Sequence, residues 1–84
     1  MTREELRTIF IDELTGIAPE IDGSSLDDTA NIQESYDLDS MDIFNLLAAL
    51  HQRLDVDIPD NDAVKLLTVE DALNYLQQRL SDKR

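Results

Sequence analysis

The fold class predicted by this 84-residue sequence is all-α: a small four-helix bundle of three main helices and a short third one, with a long first loop. Three observations predict it. Large apolar residues recur every three or four positions in three separate stretches, the repeat of a helix with one buried face. No segment alternates apolar and polar residues as a half-buried strand would. Pro19, Gly23, Ser24 and Ser25, residues that interrupt helices, gather in one connection between the first two stretches. Residues 1–84 read as a single domain. With 42% hydrophobic residues, two Phe, two Tyr and no Trp, its one core is modest and mainly aliphatic. There is no cysteine, so no disulfide supports that core, and cysteine redox chemistry and Cys-ligated metals are excluded.

Thr2 and Glu5 stand in the pattern of a capping box, each side chain satisfying an N–H group at the start of a helix. Leu6, Ile9, Phe10 and Leu14 follow as its apolar stripe, and Gly16 offers a stop, which predicts a first helix from about Thr2 to Thr15. From Gly16 to Asp39 the chain turns irregular. Structureless loops of this length are uncommon in small domains unless functional or disordered. Ile17, Ile21, Leu26, Ile32, Tyr36 and Leu38 are spread along it, so it reads as a loop pinned onto the core.

A strong helix starts at Ser40, with Phe44, Leu47, Leu50 and Leu54 on one face and Ile43 and Leu46 widening it. It ends between Asp55 and Pro59, since proline disfavours helical geometry at the residue before it. Residues 60–65 have room for a short helical segment only. Thr68 then opens a last helix whose stripe is Val69, Ala72, Leu73, Leu76 and Leu80. Its basic end (Arg79, Lys83, Arg84) suits the negative end of a helix dipole.

The formal net charge is -12. Such a charge disfavours nucleic acid and anionic membranes as partners. Residues 20–62 hold twelve acids against one base, Arg53, whereas residues 63–84 sum to +1. Acid around the middle of the chain points to a partner with a basic face, although the same acids also serve solubility. No apolar run resembles a signal peptide or reaches membrane-spanning length, so the expectation is a cytoplasmic protein without membrane insertion.

The most informative site is Ser40, set between Asp39 and Asp42 where a loop becomes a helix. Serine at such a position is often no more than an N-cap. A hydrolytic serine needs a base within hydrogen-bond reach. The only histidine, His51, lies eleven residues along the same helix, roughly 16 Å away at about 1.5 Å per residue, and reads as a surface residue. A calcium loop starting at Asp37 fails as well, because Met41 takes a ligand position, Asp42 stands where glycine is needed, and Ala48 replaces the closing glutamate. No metal site and no enzyme emerge from this inventory.

Asp39-Ser40-Met41, the apolar helix from Ile43 to Leu54, Asp57-Ile58-Pro59-Asp60 and Leu67-Thr68-Val69-Glu70-Asp71-Ala72 together resemble the acyl carrier proteins, the phosphopantetheine-binding carriers. The resemblance spans about residues 4–80 and implies covalent attachment of 4′-phosphopantetheine, derived from coenzyme A, to Ser40. It implies that Asp39 and Met41 are read by the phosphopantetheinyl transferase. It further implies a monomer that carries acyl groups as thioesters and meets acyl-loading, elongating or transferring enzymes through basic docking faces. Leu50, Ile58, Ala63, Leu66, Ala72 and Tyr75 would surround the acyl chain. A peptidyl or aminoacyl carrier on the same fold, and an unmodified helical adaptor, stay open as alternatives.

Two features depart from that family. Its second helix usually presents acids to partner enzymes, whereas Asn45, His51, Gln52 and Arg53 stand at the matching positions here, and residues 40–54 carry no net charge with His51 neutral. Asp37 stands where the family often has glycine, and aspartate tolerates left-handed backbone better than most residues. Both features point to a specialised lipid or secondary-metabolite carrier.

Overall fold

Caps, helix breakers and apolar spacing account for the limits of most elements. The computed structural model of the chain describes residues 1–82, so Lys83 and Arg84 of the expected basic end lie outside the described residues. Helix α1 runs Arg3–Ile17, a 3-10 turn follows at Gly23–Ser25, and α2 is a single turn at Ile32–Ser35. Helix α3 spans Ser40–Leu54, a 3-10 segment spans Asp60–Leu66, and α4 spans Val69–Asp82. The described residues contain no strand.

The Thr2–Glu5 capping box forms in full: the Thr2 hydroxyl accepts from the Glu5 N–H at 3.1 Å and Glu5 Oε1 accepts from the Thr2 N–H at 3.1 Å. Gly16 does not stop α1. It stays helical, its φ is not left-handed, and the helix continues to Ile17. The breaker is Pro19, which disfavours helical geometry at Ala18, and Ala18 leaves it at φ -127°, ψ 81°. At Gly23 the requirement is room: a Cβ there would come within 2.7 Å of Ile11 Cγ2 on α1.

The long connection is pinned more firmly than apolar spacing alone implies. Ile21, Ile32 and Leu38 are buried, and Ile17, Leu26 and Tyr36 are partly so. The Ile32 N–H donates to the Leu67 carbonyl at 2.7 Å and the Glu70 N–H to the Asp28 carbonyl at 2.9 Å. Arg7 grips Asp28 with two hydrogen bonds, of 3.0 and 2.9 Å, and holds that carboxyl below the usual carboxylate range. Turn α2 forms because the Asn31 side chain accepts from the N–H groups of both Gln33 and Glu34.

One core joins the elements. Helix α1 contributes Leu6, Phe10 and Leu14, α3 contributes Ile43, Leu46, Leu47, Leu50 and Leu54, and α4 contributes Val69, Ala72, Leu73 and Leu76. Phe44, expected on the buried face of α3, is instead 42% exposed. The buried stripe of α3 runs through Ile43, Leu47, Leu50 and Leu54, and Phe44 stands at its edge. Helix α3 ends at Asp55, which takes the left-handed conformation (φ 54°, ψ 45°) four residues before Pro59 can act. Asp37 is left-handed as well (φ 53°), as the departure from glycine anticipates.

Candidate functional site

The head of α3 is built by Asp39, not by Ser40. Asp39 Oδ1 accepts from the Asp42 N–H at 2.9 Å, and Asp42 Oδ2 accepts from the Asp39 N–H at 3.4 Å, a reciprocal cap. The signal was in the sequence: a polar partner lies three residues after Asp39, whereas Ile43 lies three residues after Ser40. Ser40 is the first helical residue and is exposed, and its hydroxyl is not used as the cap. The N–H groups of Ser40 and Met41 have no intrahelical acceptor and face out of the positive end of the helix.

Ser40 also lines a groove of about 350 Å³, together with Gln33, Ile43, Phe44, Asp60, Asn61, Ala63, Val64 and Leu67. Its floor is mainly apolar, with amide and carboxylate groups at the rim. A smaller hollow of about 220 Å³, which Phe44 also lines, follows α3 and is lined further by Leu47, Ala48, His51, Asp57, Ile58 and Asp60. Phe44 and Asp60 border both. Val64 lines the groove at 72% exposure, and Met41, the residue after Ser40, is 65% exposed. Three of the four large apolar side chains that the described residues expose (Met41, Phe44, Val64) therefore gather around Ser40; the fourth is Met1.

The residues expected around an acyl chain divide into two groups. Ala63 lines the groove beside Ser40 and Ile58 lines the smaller hollow. Leu50, Leu66 and Ala72 are fully buried and packed into the core, while Tyr75 is partly buried on α4. The groove-lining residues missed from sequence, Gln33, Ile43, Phe44, Asp60, Asn61, Val64 and Leu67, come from α2, α3, the 3-10 segment and the residue that follows it, and share no spacing that would announce them.

At the far end of α3, His51 is exposed and its ring Nδ1 lies 2.7 Å from the Val56 carbonyl, an arrangement in which Nδ1–H donates. Arg53 does not project as a free cation. Its guanidinium pairs with Glu13 at 3.1 Å and Asp12 at 3.6 Å, both on α1. Asp62 gathers a second network: the Tyr75 hydroxyl donates to its carboxylate at 2.5 Å and Arg79 donates at 3.0 Å, with Lys65 at 3.4 Å. The Tyr75 hydrogen bond, aided by the two cations, holds the Asp62 carboxyl below its ordinary range, and burial together with Asp62 raises the Tyr75 phenol.

Comparison with known proteins places the chain in a family. The family described as "Phosphopantetheine attachment site" matches residues 4–76, which include Ser40 and both walls of the groove. The chain belongs to that family. Among curated relatives, the phosphopantetheine-attachment chain is 32% identical over 75 residues to an acyl carrier protein of Campylobacter jejuni subsp. jejuni serotype O:23/36 (strain 81-176), covering 89% of this chain and 91% of that one. It is 31% identical over 74 residues to the acyl carrier protein of Campylobacter lari, and 29% over 75 residues to that of Campylobacter concisus. These cover 88% and 89% of this chain and 90% and 91% of the respective relatives. An exposed serine outside the cap, two outward N–H groups and an adjoining apolar groove are residues that fit a phosphopantetheine group.

Proposed function

We propose that this protein is an acyl carrier, with 4′-phosphopantetheine joined to Ser40 Oγ. The observation that carries the reading is the position of that hydroxyl: first residue of α3, exposed, left free by the Asp39 cap, and at the mouth of an apolar groove. The Ser40 and Met41 N–H groups are suited to face the phosphate of the arm. When bound, the group supplies a terminal thiol that holds an acyl chain as a thioester. The chain's own residues then have three tasks: Ser40 provides the tether, Ile43, Ala63 and Leu67 offer apolar surface, and Asp39 fixes the helix end. None of these is a catalytic task, which agrees with a carrier whose chemistry is done by partner enzymes.

Tethering turns each encounter with a partner into a local event at high effective concentration. Partners of the proposed carrier are a phosphopantetheinyl transferase and enzymes that load, extend or transfer acyl groups. Its neutral α3 face and apolar groove mouth support service in a specialised lipid or secondary-metabolite pathway. Intact-mass measurement after incubation with coenzyme A and a broad-specificity transferase tests the assignment. Wild type should gain one phosphopantetheine and Ser40→Ala none. Gain by the alanine variant would place the tether elsewhere, and no gain by wild type would favour an unmodified adaptor.

A further inference from the structure

The groove beside Ser40 has one wall that is held differently from the rest of the molecule. That wall is the 3-10 segment Asp60–Leu66, which supplies Asp60, Asn61, Ala63 and Val64 to the groove. It packs more broadly on α4 than on α3. Behind it the core is closed, since Leu50, Leu66 and Ala72 are at most 1% exposed. An acyl chain longer than the groove holds can go deeper only if the segment lifts.

Two anchors keep the segment down. Leu66 is its one fully buried side chain, and Asp62 is its polar anchor, with a side chain only 15% exposed. Asp62 Oδ2 receives both the Tyr75 hydroxyl and Arg79 Nη2 from α4, at 2.5 and 3.0 Å. The Arg79 guanidinium lies 5.0 Å from the centre of the Tyr75 ring, so the two donors also brace each other. Lys65 pairs with Oδ1 from the segment itself and is 62% exposed, so it adds little to the attachment.

We propose that Asp62 is a latch: held by Tyr75 and Arg79, it keeps the 60–66 segment on α4 and thereby limits the length of acyl chain the protein encloses. The length-limiting role rests on the carrier reading above; the latch itself does not. Charge-assisted hydrogen bonds are the stronger kind, so losing Asp62 removes the polar tie to Tyr75 and Arg79 that joins this segment to α4 among the described residues.

Amide hydrogen exchange on the unmodified protein tests the latch, with Asp62→Ala, Tyr75→Phe and, for comparison, Arg7→Gln, which breaks an ion pair elsewhere. Exchange at residues 63–66 should quicken about tenfold in Asp62→Ala and a few-fold in Tyr75→Phe, while residues 6–14 of α1 hold their rates. Arg7→Gln should leave 63–66 unchanged. If Asp62→Ala does not fold, Tyr75→Phe decides alone, because it deletes one oxygen and keeps the ring. Unchanged exchange at 63–66 in Tyr75→Phe, or equal quickening in α1, overturns the latch.

The second arm loads saturated chains of increasing length and measures resistance of each thioester to hydroxylamine. The longest protected chain should be longer in Tyr75→Phe than in wild type. The same limit in both proteins would remove the length-limiting role. Absence of the phosphopantetheine mass gain in wild type would instead strike the carrier reading, and the exchange result would stand apart from it.

Discussion

Helix α1 and the 3-10 segment Asp60–Leu66 both flank the core, yet they are secured in different ways. Helix α1 has fifteen residues, a complete capping box and three fully buried side chains, Leu6, Phe10 and Leu14. Its outer face is tied across the bundle, with Arg3 donating to Asn74 and Gln77 on α4, and Glu13 accepting from Arg53 on α3. The 3-10 segment has seven residues, no side-chain cap, one fully buried side chain and a Val64 that is mostly exposed. The proposed attachment serine sits at the junction of these two kinds of structure. Helix α3, packed on α1, holds Ser40 in place, while the wall opposite is secured chiefly through Leu66 and Asp62. A carrier needs both, since the tether must be presented in one geometry while the cargo space adapts.

The largest expected effect breaks the comparison on its strong side. Phe10→Ala should destabilise the protein by about 3–5 kcal/mol, because a large cavity opens between helices that cannot collapse onto it. Leu66→Ala should fall near the lower end of its range, about 2 kcal/mol, because the 3-10 segment can settle into the space. Urea midpoints of both variants measure the difference. Equal losses would show that the wall is as rigid as α1.

A smaller effect sharpens the assignment at the head of α3. Asp39→Ala removes the cap and should cost about 0.5–2 kcal/mol. Ser40→Ala, next to it, should stay within about 0.5 kcal/mol of wild type, since its hydroxyl is not the cap. Thermal melts of the two variants check this, and a larger loss for Ser40→Ala would return the structural role to the serine.

The smallest effect concerns the outward face of α3. Because Arg53 is turned onto Glu13 and Asp12, its charge is largely spent within the protein, and the neutral residues Asn45 and Gln52 set the face that a partner meets. Poor turnover is expected with fatty-acid elongation enzymes whose docking faces are basic. Asn45→Glu with Gln52→Glu should raise it a few-fold at low salt, and the gain should fade toward 0.15 M, where screening acts beyond about 8 Å. Adding Arg53→Glu is expected to give back part of the gain by setting a third acid against Glu13 and Asp12. Elongation rates measured against a carrier with an acidic second helix decide the matter. Wild-type rates equal to that carrier's would contradict a specialised docking face.

Much of this molecule was legible because the relevant interactions are local. The Thr2–Glu5 box, the bounds of α3, the left-handed Asp37 and the opening of α4 at Thr68, whose hydroxyl accepts from the Asp71 N–H at 3.0 Å, all depend on residues within four positions of one another. Helical hydrogen bonding and capping act over that distance, so the order of residues suffices to specify them. Gly16 and Phe44 show where local reading stops. Glycine permits a helix to end without requiring it, and the nearby proline decided the end of α1. Phe44 belongs to a helical stripe, but which edge of the stripe faces water depends on where α1 and the 3-10 segment lie against α3. The proposed tether, Ser40, could therefore be found from sequence, whereas its groove could not. Gln33, Phe44, Ala63 and Leu67 meet only after three elements have packed. The ties Arg7–Asp28, Arg53–Glu13 and Asp62–Tyr75 join residues 21, 40 and 13 positions apart. No repeat of a helix links such positions; the tertiary fold brings them within hydrogen-bond reach, and that proximity is what the order of residues leaves unstated.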